Sequence, residues 1–126
     1  MILIALSLIV IGARATRITC VGDSITSGGA CLQESYVNDL QNMLGSSYDV
    51  MNAGKSGCTM LKKGLDNGGN PYSCWDGIEY QSALESKPDI VTIMLGTNDA
   101  KYFNWEGIQQ NTGDYYTLDY VSFYLF

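Results

Sequence analysis

The chain has 126 residues, 46% of them apolar and 16% charged, with only two prolines, a globular composition that leaves room for one domain and excludes a disordered polyelectrolyte. Thirteen acidic and seven basic residues set a formal charge of −6, and the few Lys and Arg are scattered. Phosphate binding needs clustered basic side chains, so no nucleic-acid partner is expected and anionic membranes are disfavoured.

The chain opens with MILIALSLIVIGARA, an apolar run too short for a membrane span that ends in Ala13-Arg14-Ala15, an A-x-A cleavage pattern. Residues 1–15 therefore read as a secretory signal peptide, with the mature protein extracellular and making no stable membrane insertion. No Lys or Arg precedes the apolar run, and an uncleaved anchor is the alternative. In an exported chain the four cysteines allow two disulfides in three pairings. Cys58 and Cys74 flank a loop rich in Gly, Asn and Pro and are the expected pair. Cys20 lies inside an apolar strand pattern that suits a buried thiol as well as a bridge. With no CxxC and no histidine in the sequence, no structural zinc site and no other metal is expected.

Arg17 to Val21 predicts the first strand. Tyr36, Val37, Leu40, Met43 and Leu44 share one helical face, with Ser35 as N-cap and Gly45 just past the end. Tyr48 to Asn52 predicts a short second strand, and the polar, glycine-rich stretch 57–70 a loop with one helical turn at Met60 to Lys63. A weaker helix over Asp76 to Ser86 stops before Pro88, and Asp89 to Leu95 is a continuous apolar strand of the kind buried on both faces. Strands alternating with helices predict an α/β fold with a parallel sheet. Residues 102–126 are rich in Tyr and Phe and end in an unfinished apolar stretch. A doubly wound sheet usually has about five strands, so residues 16–126 are expected to be a partial domain truncated after its third strand. The alternative is a tail folded over an open sheet edge.

Three glycine-marked stretches follow the carboxyl ends of the three predicted strands, where open α/β sheets assemble their sites. They are Gly22-Asp23-Ser24, Asn52-Ala53-Gly54-Lys55-Ser56-Gly57 and Gly96-Thr97-Asn98-Asp99. A serine at the first is exposed at a strand-to-loop switch. The Gly57 N–H and the Asn98 amide could converge on a carbonyl oxygen as it becomes an oxyanion, and a glycine there keeps a side chain out of the substrate's approach. Taken singly, each stretch reads equally well as a capped polar turn. Their order and placement at strand ends carry the signal.

"VGDSIT", "NAGKSG" and "IMLGTND" resemble the first three blocks of the SGNH, or GDSL-type, hydrolases, a family of esterases and lipases, and the resemblance runs from Ile18 to Asp99. It implies a three-layer, flavodoxin-like fold with a parallel sheet, and hydrolysis of lipid, acetyl-sugar or other small carboxylic esters without a cofactor. Carried over by motif, Ser24 is the nucleophile, and Gly57 and Asn98 with the Ser24 N–H form the oxyanion hole. Asp23 and Asp99 border the substrate site as turn supports. The family's base is a histidine in a C-terminal D-x-x-H block, which these residues do not contain.

A serine without a base loses several orders of magnitude in rate. Lys55 would need a dry pocket to serve, and its glycine- and serine-rich surroundings predict a solvated loop charge. Asp99 and Asp114 read as turn caps, and Asp23 with Asp99 as turn-formers rather than the carboxylate pair of a glycosidase. "AGKSG" is not a phosphate loop, since Asp49 stands where the first glycine belongs, and "GDSIT" lacks the second glycine of a G-x-S-x-G elbow. Tyr102, Phe103, Trp105, Tyr115, Tyr116 and Tyr120 either line a carbohydrate or acyl pocket or cover a sheet edge. The expected protein is a secreted serine esterase acting on a small-molecule or glycan ester, inactive over these residues alone. The alternative is a non-catalytic carbohydrate- or lipid-binding module of the same fold.

Overall fold

The computed structural model describes residues 14–29, 34–101 and 103–104. Residues 1–13 of the expected signal peptide, Cys31, Asp114 and all of the aromatic group except Phe103 lie outside them. Three strands, β1 (Thr16–Gly22), β2 (Tyr48–Gly54) and β3 (Ile90–Met94), form a parallel sheet in the order β2-β1-β3. The helices are α1 (Ser24–Ser27), α2 (Tyr36–Leu44) and α3 (Ile78–Glu85). This is the three-layer flavodoxin-like arrangement, and its layers follow from the alternation of side chains along β1. Ile18 and Cys20 point to one face and pack with Val37, Tyr36, Leu40 and Leu44 of α2. Val21 points to the other and packs with Ala53, Met60 and Ala83 of α3. Cys20 is a free, buried thiol.

The start of α2 shows why these residues make a helix there. Ser35 takes an extended backbone and its Oγ accepts from the Val37 N–H at 3.1 Å, satisfying one of the donors that a helix start leaves open. Gly45 closes the other end with φ +68°, a value at which a side chain is strained. The weaker helix expected over Asp76 to Ser86 is helical over Ile78–Glu85 as α3, and Asp76 belongs instead to a preceding 3-10 turn, Cys74–Asp76.

Two expectations change. Ile90 and Met94 of β3 are 45% and 42% exposed, and the strand alternates between exposed and half-buried positions instead of being buried on both faces. Val91 and Ile93 pack on the α3 side, while α2 lies over β1 and β2, so no described element covers the second face of β3. The stretch Met60 to Lys63 makes a reverse turn, closed by Gly64 N–H to Leu61 O at 3.1 Å, and not a helical one. The loop between β2 and α3 is organised by isolated bridges, Thr59 with Ser73 and Leu65 with Pro71, and by the Cys58–Cys74 disulfide, the pairing anticipated from the flanking residues.

The register aligns the strand ends. Gly22 of β1 pairs with Gly54 of β2 and with Met94 of β3, so the three chains leave the sheet side by side. Short α1 sits directly on those ends. A Cβ on Gly54 would fall 2.3 Å from the Ser27 backbone nitrogen. One on Gly22 would fall 1.9 Å from Thr26 Oγ1 and 2.8 Å from the Met94 carbonyl. No side chain fits at either position.

Candidate active site

Ser24 is the first residue of α1 and half-buried. Asp23 before it is 1% exposed and N-caps the helix, its Oδ1 accepting from the Ile25 N–H at 3.0 Å. The far end of this single turn is held as firmly. The Thr26 carbonyl accepts from Ser35 Oγ at 2.5 Å and from Asn52 Nδ2 at 2.8 Å, which ties the serine's helix to α2 and to β2. Asn52 also turns the β2 exit, accepting from the Gly54 N–H at 2.9 Å through Oδ1.

Asn98 is buried after β3, and its Nδ2 donates to the Cys58 carbonyl at 2.9 Å and, more weakly, to Asp23 Oδ2 at 3.4 Å. One amide thus touches the residue beside Ser24 and the residue beside Gly57. The three stretches meet there although they are as much as 75 positions apart in the chain. Gly57 has φ +81°, and a Cβ on it would meet only the Tyr72 ring, at 3.6 Å. Glycine is therefore demanded by the backbone turn.

Asp99 does not cap its own turn. Its two carboxylate oxygens accept from the Met60 N–H at 3.1 Å and the Leu61 N–H at 2.9 Å, 39 and 38 positions away, so it anchors the loop that carries Gly57. Lys55 departs from the expected solvated charge. Its Nζ donates to the Ser73 carbonyl at 3.0 Å and lies 4.3 Å from the Tyr72 ring centroid, so the ammonium is spent on fastening the loop. Phe103 is half-buried.

Sequence reasoning missed Asn104. It is fully buried and bonds to Leu65 and to Asn98 through its side chain. A lone amide within an otherwise aromatic run is the signal that could have found it, because a buried polar group among rings must have partners. Asn52 was read as the end of the second strand and the start of a glycine-marked stretch, and its hold on the Thr26 carbonyl was not anticipated. Among the described residues no cluster of three or more His, Cys, Asp and Glu side chains is arranged to hold a metal ion.

A parallel α/β sheet with a serine, a glycine and an asparagine gathered past its three strand ends has the layout of an SGNH-type hydrolase. Residues 20–120 match the family model of the GDSL-like Lipase/Acylhydrolase family, and the chain belongs to that family. Over 95 residues it is 42% identical to an acetylxylan esterase of Xylanibacter ruminicola, an alignment that covers 73% of this chain and 18% of that protein. Among solved structures, the inhibitor-bound aryl esterase of M. smegmatis matches with a TM-score of 0.50 at 30% identity, over 72% of this chain and 46% of that one. AlinE4, an SGNH-hydrolase family esterase, matches with a TM-score of 0.48 at 28% identity, over 69% of this chain and 43% of that one. The chain thus spans about a fifth of the acetylxylan esterase and less than half of either solved chain.

Proposed function

We propose that the protein is an extracellular serine esterase that removes acetyl groups from a sugar polymer by acyl transfer through Ser24. The observation that carries this reading is the Asn98 amide, which reaches both the Cys58 carbonyl next to Gly57 and the Asp23 carboxylate next to Ser24. In the reaction, Ser24 Oγ attacks the ester carbonyl carbon while a base takes the hydroxyl proton. The carbonyl oxygen gains negative charge and is received by the N–H groups of Ser24 and Gly57 and by Asn98 Nδ2. Collapse of this intermediate expels the alcohol, and water then hydrolyses the acyl-serine. Of the two contacts made by Asn98 Nδ2, the 2.9 Å bond to Cys58 holds the amide in place, and the 3.4 Å contact to Asp23 is the one a substrate oxygen replaces.

The 126 residues contain no histidine, so on this reading the base is supplied from outside them. Acetylated xylan is the substrate class supported by the 42% identity to an acetylxylan esterase. An extracellular location is supported by the A-x-A pattern at Ala13-Arg14-Ala15. The test compares the native full-length gene product with its Ser24→Ala variant for acetate release from acetylated xylan and for turnover of p-nitrophenyl acetate. The variant is expected to lose about 10⁴-fold or more in kcat. Equal turnover by both proteins rejects the assignment of Ser24. Saturable binding of the polymer without serine-dependent turnover establishes instead the non-catalytic binding module.

A further inference from the structure

The loop that carries Gly57 is closed on itself by isolated bridges, Thr59 with Ser73 and Leu65 with Pro71, and adds no strand to the described sheet. Its position against Asn98 is set by side chains from one short segment beyond β3. Asn98 Nδ2 holds the Cys58 carbonyl at 2.9 Å, and Asp99 holds the Met60 and Leu61 N–H groups at 3.1 and 2.9 Å. Asn104 holds both polar groups of Leu65, its Oδ1 accepting from the N–H at 2.6 Å and its Nδ2 donating to the carbonyl at 3.1 Å. The same Nδ2 donates to the main-chain carbonyl of Asn98 at 2.9 Å. Asn104 is 0% exposed and is the one side chain of the three that bonds to the loop and to the Asn98 backbone at once. A buried amide with no water to fall back on keeps these bonds in a single arrangement.

We infer that Asn104 is a positioning residue of the oxyanion hole, clamping the Asn98 peptide against residues 58–65 so that Asn98 Nδ2 and the Gly57 N–H keep one geometry. This rests on the roles of Asn98 and Gly57 proposed above. The Ala100 N–H bonds to Gly96 O at 3.0 Å and the Lys101 N–H to Asn98 O at 3.2 Å, so the turn after β3 can form without Asn104, which adds to the Asn98 and Asp99 contacts a tie between the Asn98 carbonyl and Leu65.

The test uses Asn104→Asp in the native full-length protein. The variant has the same shape, but an oxygen replaces the donor that faces the Asn98 and Leu65 carbonyls. A folded variant is expected to lose about 10- to 100-fold in kcat on p-nitrophenyl acetate with KM within about twofold, the pattern of a misplaced transition-state contact. The side-chain amide signals of Asn98, assigned by their loss in Asn98→Asp, are expected to shift and to exchange faster with water. A lowered melting temperature with unchanged Asn98 signals and a kcat within about twofold of wild type overturns the inference. Asn104→Ser buries no charge and carries the same readouts if Asn104→Asp does not fold. Failure of both to fold overturns it too, by making Asn104 a residue of folding alone. Where the wild type itself shows no serine-dependent turnover, the esterase reading fails and the Asn98 signals alone decide: shifted in the variant, the clamp stands, and unshifted, it falls.

Discussion

Gly57 carries a positive φ of +81°, and a Cβ on it would make only ordinary contact with the Tyr72 ring at 3.6 Å, so Gly57→Ala meets backbone strain and little else. It is expected to fold with a loss of about 1–2 kcal/mol, read from urea unfolding. Gly54→Ala differs in kind, because the new methyl would fall 2.3 Å from the Ser27 nitrogen and neither backbone can move cheaply. A loss of about 3 kcal/mol or failure to fold is expected, and a stable, well-folded variant would show that α1 is not seated on the β2 end. Asp99→Asn leaves one of the Met60 and Leu61 N–H donors facing an amide nitrogen in a buried place. A destabilisation of about 1–3 kcal/mol in denaturant titration is the expected result. The three residues had looked alike in the sequence, as polar or glycine punctuation after strands, and the structure separates them by what each one touches.

At the scale of elements, α2 was legible from residue pattern alone. A serine, a face of apolar residues at helical spacing and a terminal glycine are local signals, and the helix lies where they put it, at Tyr36–Leu44. The double use of Ser35 was not legible. Its Oγ caps α2 and also donates to the Thr26 carbonyl at the end of α1, so Ser35→Ala loosens two helices at once. The expected loss is about 2 kcal/mol, above that of an ordinary cap. The loop from Lys55 to Gly77 defeated the periodicity argument because its order comes from cross-links, the disulfide, the Lys55 clip and the Asp99 anchor, none of which has a period. Replacing Cys58 and Cys74 by serine, 16 positions apart, is expected to lower stability by about 3 kcal/mol in urea.

For the whole molecule, the end of the sheet away from the site is held by charge. The carboxylate of Asp89 accepts from the Arg17 N–H at 2.7 Å and pairs with Arg14 at 2.6 Å, while Arg17 bonds to Asp49 at 2.7 Å. The backbone bond from Arg17 is the main cause that holds Asp89 below its ordinary value of 3.8, and Asp66 is lowered chiefly by the backbone bond from Asn70. A carboxyl whose pKa is depressed on folding contributes stability above its unfolded pKa, and that contribution is lost as pH falls through the lower, folded value. The urea midpoint is therefore expected to be level near neutrality and to decline as pH drops below 3.8. A midpoint that stays level into that range would mean that these carboxylates gain nothing from folding. Cleavage after Ala15 would remove Arg14 but not the Arg17 bond, so the decline is expected to persist in a processed chain.

The family was readable from sequence because its marks are short and local: three stretches, each after an apolar run, in a fixed order. The strand and helix pattern was readable for the same reason, since side-chain alternation and helix caps are decided within a few residues. The outward face of β3 was not, because an apolar run has the same composition whether or not a neighbouring layer covers it. Nor was the clamp on the site legible. Asn98 with Cys58, Asp99 with Leu61 and Asn104 with Leu65 are pairs 38 to 40 positions apart, brought together once Gly22 pairs with Gly54 and Met94. A hydrogen bond needs its partners within about 3 Å, and only the assembled sheet sets which distant groups come that close.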